Sequence, residues 1–341
     1  MKEFKLNLQL FANTVQTTLL DGLSPEMKTF YDMTLIDEAS ANLVHDQFGQ
    51  KRPIPQGGGK TIEFRKFASL PKATTPITEG VTPDGKSLTV TSVTATVAQY
   101  GDYITQSDVL ELTALDNTIL EATKLLGKQA GATLDTVVRN VLVAGTNVSY
   151  CPKVASGAET AVTSRSAMDT TSKLTVKVIQ KAVAKLRGQN APTINGKYVA
   201  IIHPYVAYDL MRDPEWIDAH KYANPTNLYE GEIGEIAGVR FVQTTEAKVW
   251  NDSTCPSSGS SKYHSVFATL VLGEGAYGVT EITGGGLQTI IKQKGSAGTA
   301  DPLDQRSSVG WKAIKTAELL VPNYLVRIES CSPDFDETAS N

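Results

Sequence analysis

Two glycine clusters, four histidines, three cysteines and one acidic cluster are the places where this 341-residue chain could do chemistry. Gly57-Gly58-Gly59-Lys60-Thr61 has the ending of a phosphate-binding loop. The complete pattern needs a further glycine at position 54, which is Ile54, and Pro55 interrupts the loop. The next residues, Thr61-Ile62-Glu63-Phe64-Arg65-Lys66-Phe67, alternate as a strand. No helix N-terminus would then face a phosphate. Gly273-Glu274-Gly275-Ala276-Tyr277-Gly278 has dinucleotide-binding spacing and comes after an apolar run. Its continuation, Val279-Thr280-Glu281-Ile282-Thr283, is β-branched rather than helical, so the dipole that would hold a pyrophosphate is missing.

The histidines, His45, His203, His220 and His264, show no i,i+4 pair. Asp213, Glu215, Asp218 and His220 form a local cluster with metal-ligand character. No second ligand group has matching spacing, and acidic residues at a solvated helix start explain it. Cys151, Cys255 and Cys331 are far apart and odd in number, which fits neither a disulfide framework nor a zinc site. No serine or cysteine has a nucleophile context. The sequence therefore assigns no catalytic, cofactor-binding or metal-ligating residue.

Composition narrows the class further. Hydrophobic residues make up 41% and charged residues 20%, as in a folded chain, and the net charge of −4 gives no global basic excess for phosphate backbones. Met1 to Ala12 lacks the continuous apolar core of a signal peptide. Phe4, Leu6, Leu8 and Leu10 alternate with polar residues instead, as in an extended arm that could pair with another copy. No stretch is long and apolar enough to span a membrane as a helix.

The order of elements is the most informative feature. After Pro53, Pro55 and the glycines come two strands, Thr61 to Phe67 and Leu88 to Tyr103, joined by an irregular tip rich in Pro and Gly between 70 and 85. In the return strand Leu88 and Val90 lie on one parity, and Val93, Ala95 and Val97 on the other. That change implies a bulge near Thr91-Ser92 or a switch of covered face. A lone hairpin is marginal in water, so this arm calls for a surface to lie on.

The next element is a helix over 117–143, capped by Asp116 or Asn117 and stopped at Gly145. Ile119, Ala122, Leu126, Ala130, Leu134, Val137 and Val141 make its apolar face, and Asp135 and Arg139 an i,i+4 pair. Gly127 and Gly131 cost helix propensity and imply close approach of another backbone. Residues 146–172 are loop or short strands. A helix from Val176 to Leu186 carries Lys177, Lys181 and Lys185 on its wet side, as a solvated face. Lys197 to Ile202 is a buried strand, and Pro204 opens a short helix to Met211. Further strands fall at 238–242, 264–272, 309–314 and 325–328. The polar tail 332–341 is expected to fray.

This α+β order resembles the major capsid proteins of tailed bacteriophages with the Hong Kong 97-type fold. The likeness is carried by Leu6 to Ala12, Thr78-Glu79-Gly80 in the hairpin, Ile202-His203-Pro204 to Leu210, and Gly234 to Arg240. The resemblance implies an N-terminal arm at 1–30, a connecting segment at 31–51 and an extended loop at 52–104. Residues 105–172 would hold the spine helix and part of a peripheral domain, with the spine itself at 116–143. An axial domain would span 173–300, then a return to the peripheral domain at 301–331 and a flexible tail at 332–341.

It also implies a non-enzymatic shell subunit that forms hexamers and pentamers, encloses DNA without reading its sequence, and resides in the virion after synthesis in the host bacterial cytoplasm. A separate scaffolding protein, a portal and a decoration protein are the implied partners. Some relatives crosslink through a lysine of the extended loop, but nothing singles out Lys60, Lys66, Lys72 or Lys86 for that role. The competing readings are a nucleotide-dependent enzyme, resting on the glycine clusters, and another virion or surface-layer protein.

Overall fold

The computed structural model describes residues 33–39, 43–67, 70–77, 79–82, 84–113, 118–155, 157–223, 234–259, 262–296, 301–335 and 340–341. The expected N-terminal arm at 1–30 and the cap at Asp116 or Asn117 lie outside them. A short helix α1 (33–39) comes first, then strand β1 (Gln50–Lys51). The hairpin is β2 (Thr61–Phe67) and β3 (Val90–Thr96), and β3 runs on into β4 (Ala98–Ser107). Helix α2 (Asp108–Thr113) leads to α3 (Thr118–Val143), the expected long helix. At 26 residues it is about 39 Å long.

The chain continues through β5 (Val148–Tyr150) and a small ribbon of β6 (Lys153–Ala155) and β7 (Ala158–Thr160) to α4 (Val176–Gly188) and β8 (Tyr198–Ile202). Helices α5 (Pro204–Met211) and α6 (Pro214–Ala223) precede β9 (Glu235–Ile236), β10 (Val239–Gln243) and β11 (Val249–Trp250). A second ribbon, β12 (Ser257–Gly259) with β13 (Lys262–Tyr263), leads to β14 (Val266–Leu272) and β15 (Tyr277–Glu281). The last strands are β16 (Gln288–Lys292), β17 (Arg306–Leu319) and β18 (Leu325–Cys331).

Two sheets organise these strands. One has seven strands, ordered β5-β18-β14-β8-β10-β9 with β11 also on β14. Its central strands β8 and β14 are buried at every position, which explains their unbroken apolar sequences. Helices α4 and α5 cover one face through Ile179, Val183, Leu186, Val206 and Leu210. The other sheet, ordered β1-β15-β17-β16, gains β4 along β17.

Helix α3 serves both sheets. Leu126, Ala130 and Leu134 pack on Val309, Trp311 and Ala313 of β17, while Val138 and Leu142 join Ile201, Ala268 and Leu270 of the seven-stranded sheet. This double duty corrects the expected apolar face. Past Leu134 the fully buried apolar positions are Val138 and Leu142, while Val137 and Val141 are only partly buried. The expected Asp135–Arg139 pairing also gives way, because tertiary partners outcompete a neighbour on the same helix. Asp135 bonds His45, and the Arg139 guanidinium donates to the Glu246 carbonyl at 2.8 Å.

The close approach expected at Gly127 is present: a Cβ there would lie 2.9 Å from the Leu35 carbonyl oxygen of α1. Sheet membership cuts the chain differently from the implied segments. Strands β15 and β16, within 173–300, share a sheet with β4 and β17, whereas β18, within 301–331, lies between β5 and β14. Nor is 332–341 a tail from its first residue. Ser332 is buried, and the Phe335 ring stacks on Tyr205 at 4.0 Å between centroids.

Candidate assembly interface

The arm is built from its root outward. Ten consecutive pairs of the β4–β17 ladder, Ala98↔Lys315 to Ser107↔Arg306, fix the root. Gln129 of α3 ties the ladder to the helix, donating to Asp102 at 2.6 Å and accepting from the Trp311 indole at 3.3 Å. The Gln129 amide, and after it the Tyr103 N–H, lowers the Asp102 carboxyl from its ordinary value.

At the base, Gly57 and Gly59 adopt φ of +83° and +86°, which glycine tolerates without steric cost. β2 and β3 then pair in one unbroken register from Thr61↔Thr96 to Phe67↔Val90. No bulge interrupts it, so the parity change marks a switch of covered face. One face carries Ile62, Phe64, Val93 and Ala95, and Phe64 and Ala95 are buried. The opposite face carries the Phe67↔Val90 pair, both exposed.

Phe64 fills its own subunit. A Cβ at Gly278 would sit 2.8 Å from the Phe64 ring, so glycine at 278 makes room for it. The Arg52 guanidinium lies 5.9 Å above the same ring. The second glycine cluster is therefore a turn between β14 and β15 and a ring seat. Gly275 takes φ of +70°, and a Cβ at Gly273 would lie 2.9 Å from the Pro192 carbonyl. The first cluster leads into β2, as its sequence suggests. Sequence reasoning missed the Phe64 seat, although a glycine within a β-branched run is a signal of close approach.

Beyond Phe67 the described residues of the arm are exposed as far as Val90. Phe67, Leu70, Ile77, Val81, Leu88 and Val90 are all exposed, Ile77 at 75%. Exposed apolar residues concentrated on one projection mark an interaction surface.

The other chemical candidates resolve into structural roles. Asp213 accepts from the Val176 N–H at 2.9 Å and the Glu215 N–H at 3.1 Å, tying down the starts of α4 and α6. Among the described residues no group of three His, Cys, Asp or Glu could hold a metal ion. The His220 side chain is outside that description. Lys177 pairs with Glu159 at 2.7 Å, and Lys181 and Lys185 are exposed. All three cysteines are buried free thiols, and burial raises Cys151 and Cys255 above the ordinary thiol range. His203 caps α5 by accepting from Tyr205 N–H at 3.2 Å, and burial lowers its pKa to about 4.

Sequence reasoning also missed a buried pin. His45 Nδ1 and Asp135 Oδ2 are 2.6 Å apart, and Asp135 Oδ1 accepts from the Val44 and His45 N–H groups. The Tyr277 hydroxyl donates to the His45 carbonyl. This fastens the segment before β1 to both α3 and β15.

The chain matches a family described as phage capsid protein over residues 5–295. The capsid structure of cyanophage P-SCSP1u is similar at a TM-score of 0.64 and 14% identity, covering 85% of this chain and 88% of that one. The capsid of Ralstonia phage GP4 is similar at 0.63 and 13% identity, covering 86% and 90%. For cyanophage Pam1 the values are 0.60, 12%, 86% and 92%. No curated protein matches the chain. The two-sheet fold, its spanning helix and projecting arm, with the match to most of the chain, assign it to the phage capsid protein family: a Hong Kong 97-type major capsid protein.

Proposed function

We propose that the chain assembles with itself into hexamers and pentamers of a closed icosahedral shell around DNA, and that the distal third of residues 52–104 is the inter-subunit clamp. The observation that carries this reading is the contrast within the arm: a root and base fastened to their own subunit, and a tip of exposed apolar residues. Burying one such side chain is worth roughly 1.5–3 kcal/mol, and every subunit contributes several. In this reading the seven-stranded sheet with α4 to α6 is the axial part, near the implied 173–300. The sheet on β17 with α3 is the peripheral part. The subunit works as a container wall, without catalysis or cofactor, and is made in the host cytoplasm before entering the virion. A scaffolding protein, a portal and a decoration protein are its expected partners.

The test is to replace residues 70–88 by a two-residue Asn-Gly turn. The variant subunit should melt within about 0.5 kcal/mol of the parent, since the described residues among those removed are all exposed. Electron microscopy should show no shells where the parent gives them. Shells at parental yield would refute the clamp.

A further inference from the structure

We infer that the wet face of α4 is a contact for the phosphate backbone of the DNA that the shell encloses. This rests on the shell reading above and names a place where the subunit touches the contents. Helix α4 carries Lys177, Lys181, Lys185 and Arg187 and no carboxylate, in a chain whose net charge is −4. The three lysines recur at i, i+4 and i+8, so they form one stripe about 12 Å long at 1.5 Å per residue. Ile179, Ala182, Val183 and Leu186 are buried on the other side, which leaves the stripe to solvent.

The stripe does not serve the helix. Like charges four residues apart repel, and a lysine in the first turn opposes the helix dipole. A face made only for solubility mixes both signs. Nor does the rest of the subunit neutralise it. Glu159 reaches Lys177 at 2.7 Å, but the two side chains are 43% and 66% exposed, and so wet a pair yields readily to a competing anion. Lys181 and Lys185 have no ion pair among the described residues. A groove of about 210 Å³ lies between this face and β5, lined by Lys177, Lys181, Tyr150, Pro152 and Val162. Apolar walls beside cations focus their field on an approaching anion. The spacing selects a polymer. Each strand of duplex DNA carries one charge per about 3.4 Å of axis, so the stripe lies along about three or four phosphates. Such contacts hold a duplex without reading its bases, as a container for any sequence requires.

The first test measures binding of the unassembled full-length subunit to a short fluorescent DNA duplex as salt is raised. Lys177→Gln, Lys181→Gln and Lys185→Gln together should flatten the slope of log K against log salt by about 2.7, at roughly 0.9 per phosphate contact. Lys262→Gln, Lys292→Gln and Lys312→Gln remove the same charge from exposed positions elsewhere and should leave the slope as it is. Glu159→Gln, which frees Lys177, should steepen it. Equal slopes for the two triple variants would show that the duplex feels net charge alone, and would overturn the site. The second test uses assembled shells and a small amine-acetylating reagent, with mass spectrometry to locate the label. Lys181 and Lys185 should be labelled several-fold more slowly in DNA-filled shells than in empty ones. Equal labelling, even with the subunit slope altered, would mean that the stripe takes an acidic partner other than the genome; it would overturn the contact and leave the shell reading standing. Failure of the parent to form shells would overturn that reading and the contact with it.

Discussion

Phe64 and Phe67 lie three residues apart on one strand, yet Phe64 is 4% exposed and Phe67 61%. The difference begins with the pleat, which sends odd and even positions to opposite faces. Face one meets β15, where Gly278 leaves room for a ring. Face two is exposed, and the Phe67↔Val90 pair lies there with Leu88 on the same parity. One hairpin therefore carries one buried apolar face and one exposed one. The base is part of the subunit core, and the tip is the surface that the proposed clamp would lay on a neighbour. Folding of the subunit and assembly of the shell can then be altered separately by residues only three positions apart.

The largest expected effect is at the base. Phe64→Ala should destabilise the isolated subunit by about 3–5 kcal/mol, since it empties a seat that Gly278 cannot fill. Denaturant unfolding of unassembled subunits measures this. A loss under about 1 kcal/mol, well short of a core truncation, would mean that the base, like the tip, is not part of the subunit core.

Acid tests the comparison from outside the arm. His203 packs within 5.0 Å of Phe267 and 4.7 Å of Tyr205, between ring centroids, in the seven-stranded sheet region. Burial lowers its pKa to about 4 from the ordinary 6.5, so the folded state disfavours the imidazolium. Its contribution is whole above pH 6.5, declines as the unfolded chain takes up the proton on the way down to pH 4, and is spent below that. The loss is at most about 3 kcal/mol. Melting of the parent between about pH 7 and 4 should therefore be steeper than that of His203→Asn. Equal slopes would mean that His203 titrates freely in the fold.

How much of this is legible in the sequence depends on how local each feature is. The unbroken apolar runs of β8 and β14, the Pro204 helix start and the hairpin itself arise from neighbours in the chain, and each lies within a few residues of where its pattern puts it. The switch of face at Thr91-Ser92 is visible as a parity change, but not which face stays bare. The ten-residue β4–β17 ladder joins residues some two hundred apart, and no local period encodes its register. His45 and Asp135 are equally ordinary in sequence; only the fold brings them to 2.6 Å. The α3 face is misleading past Leu134 because Val137-Val138 and Val141-Leu142 are tandem apolar pairs, and the second sheet selects the later member of each. Gly278 announces a close approach without naming Phe64 as the group that approaches.

The smallest effect on the subunit should come from Phe67→Ser, and it sharpens the comparison most. Phe67 has little of its surface to lose on its own chain, and a surface substitution without a cap, a cavity or a buried charge usually changes stability by no more than about 0.5 kcal/mol. The unassembled subunit should melt as the parent does. In the shell, the same substitution removes an aromatic side chain from every clamp, at roughly 1.5–3 kcal/mol per buried copy, and the cost recurs at each contact. Shells should therefore dissociate at lower denaturant, while Phe64→Ala subunits fail earlier, before assembly. Hydrogen exchange separates the two faces directly. Amides of β2 and β3 in the unassembled subunit should be protected near Phe64, where strand pairing is covered by β15. Residues 70–88 should exchange freely and become slow only in shells. If Phe67→Ser lowers the isolated subunit's melting as far as Phe64→Ala does, the tip packs on its own subunit and the division of the arm into base and tip fails.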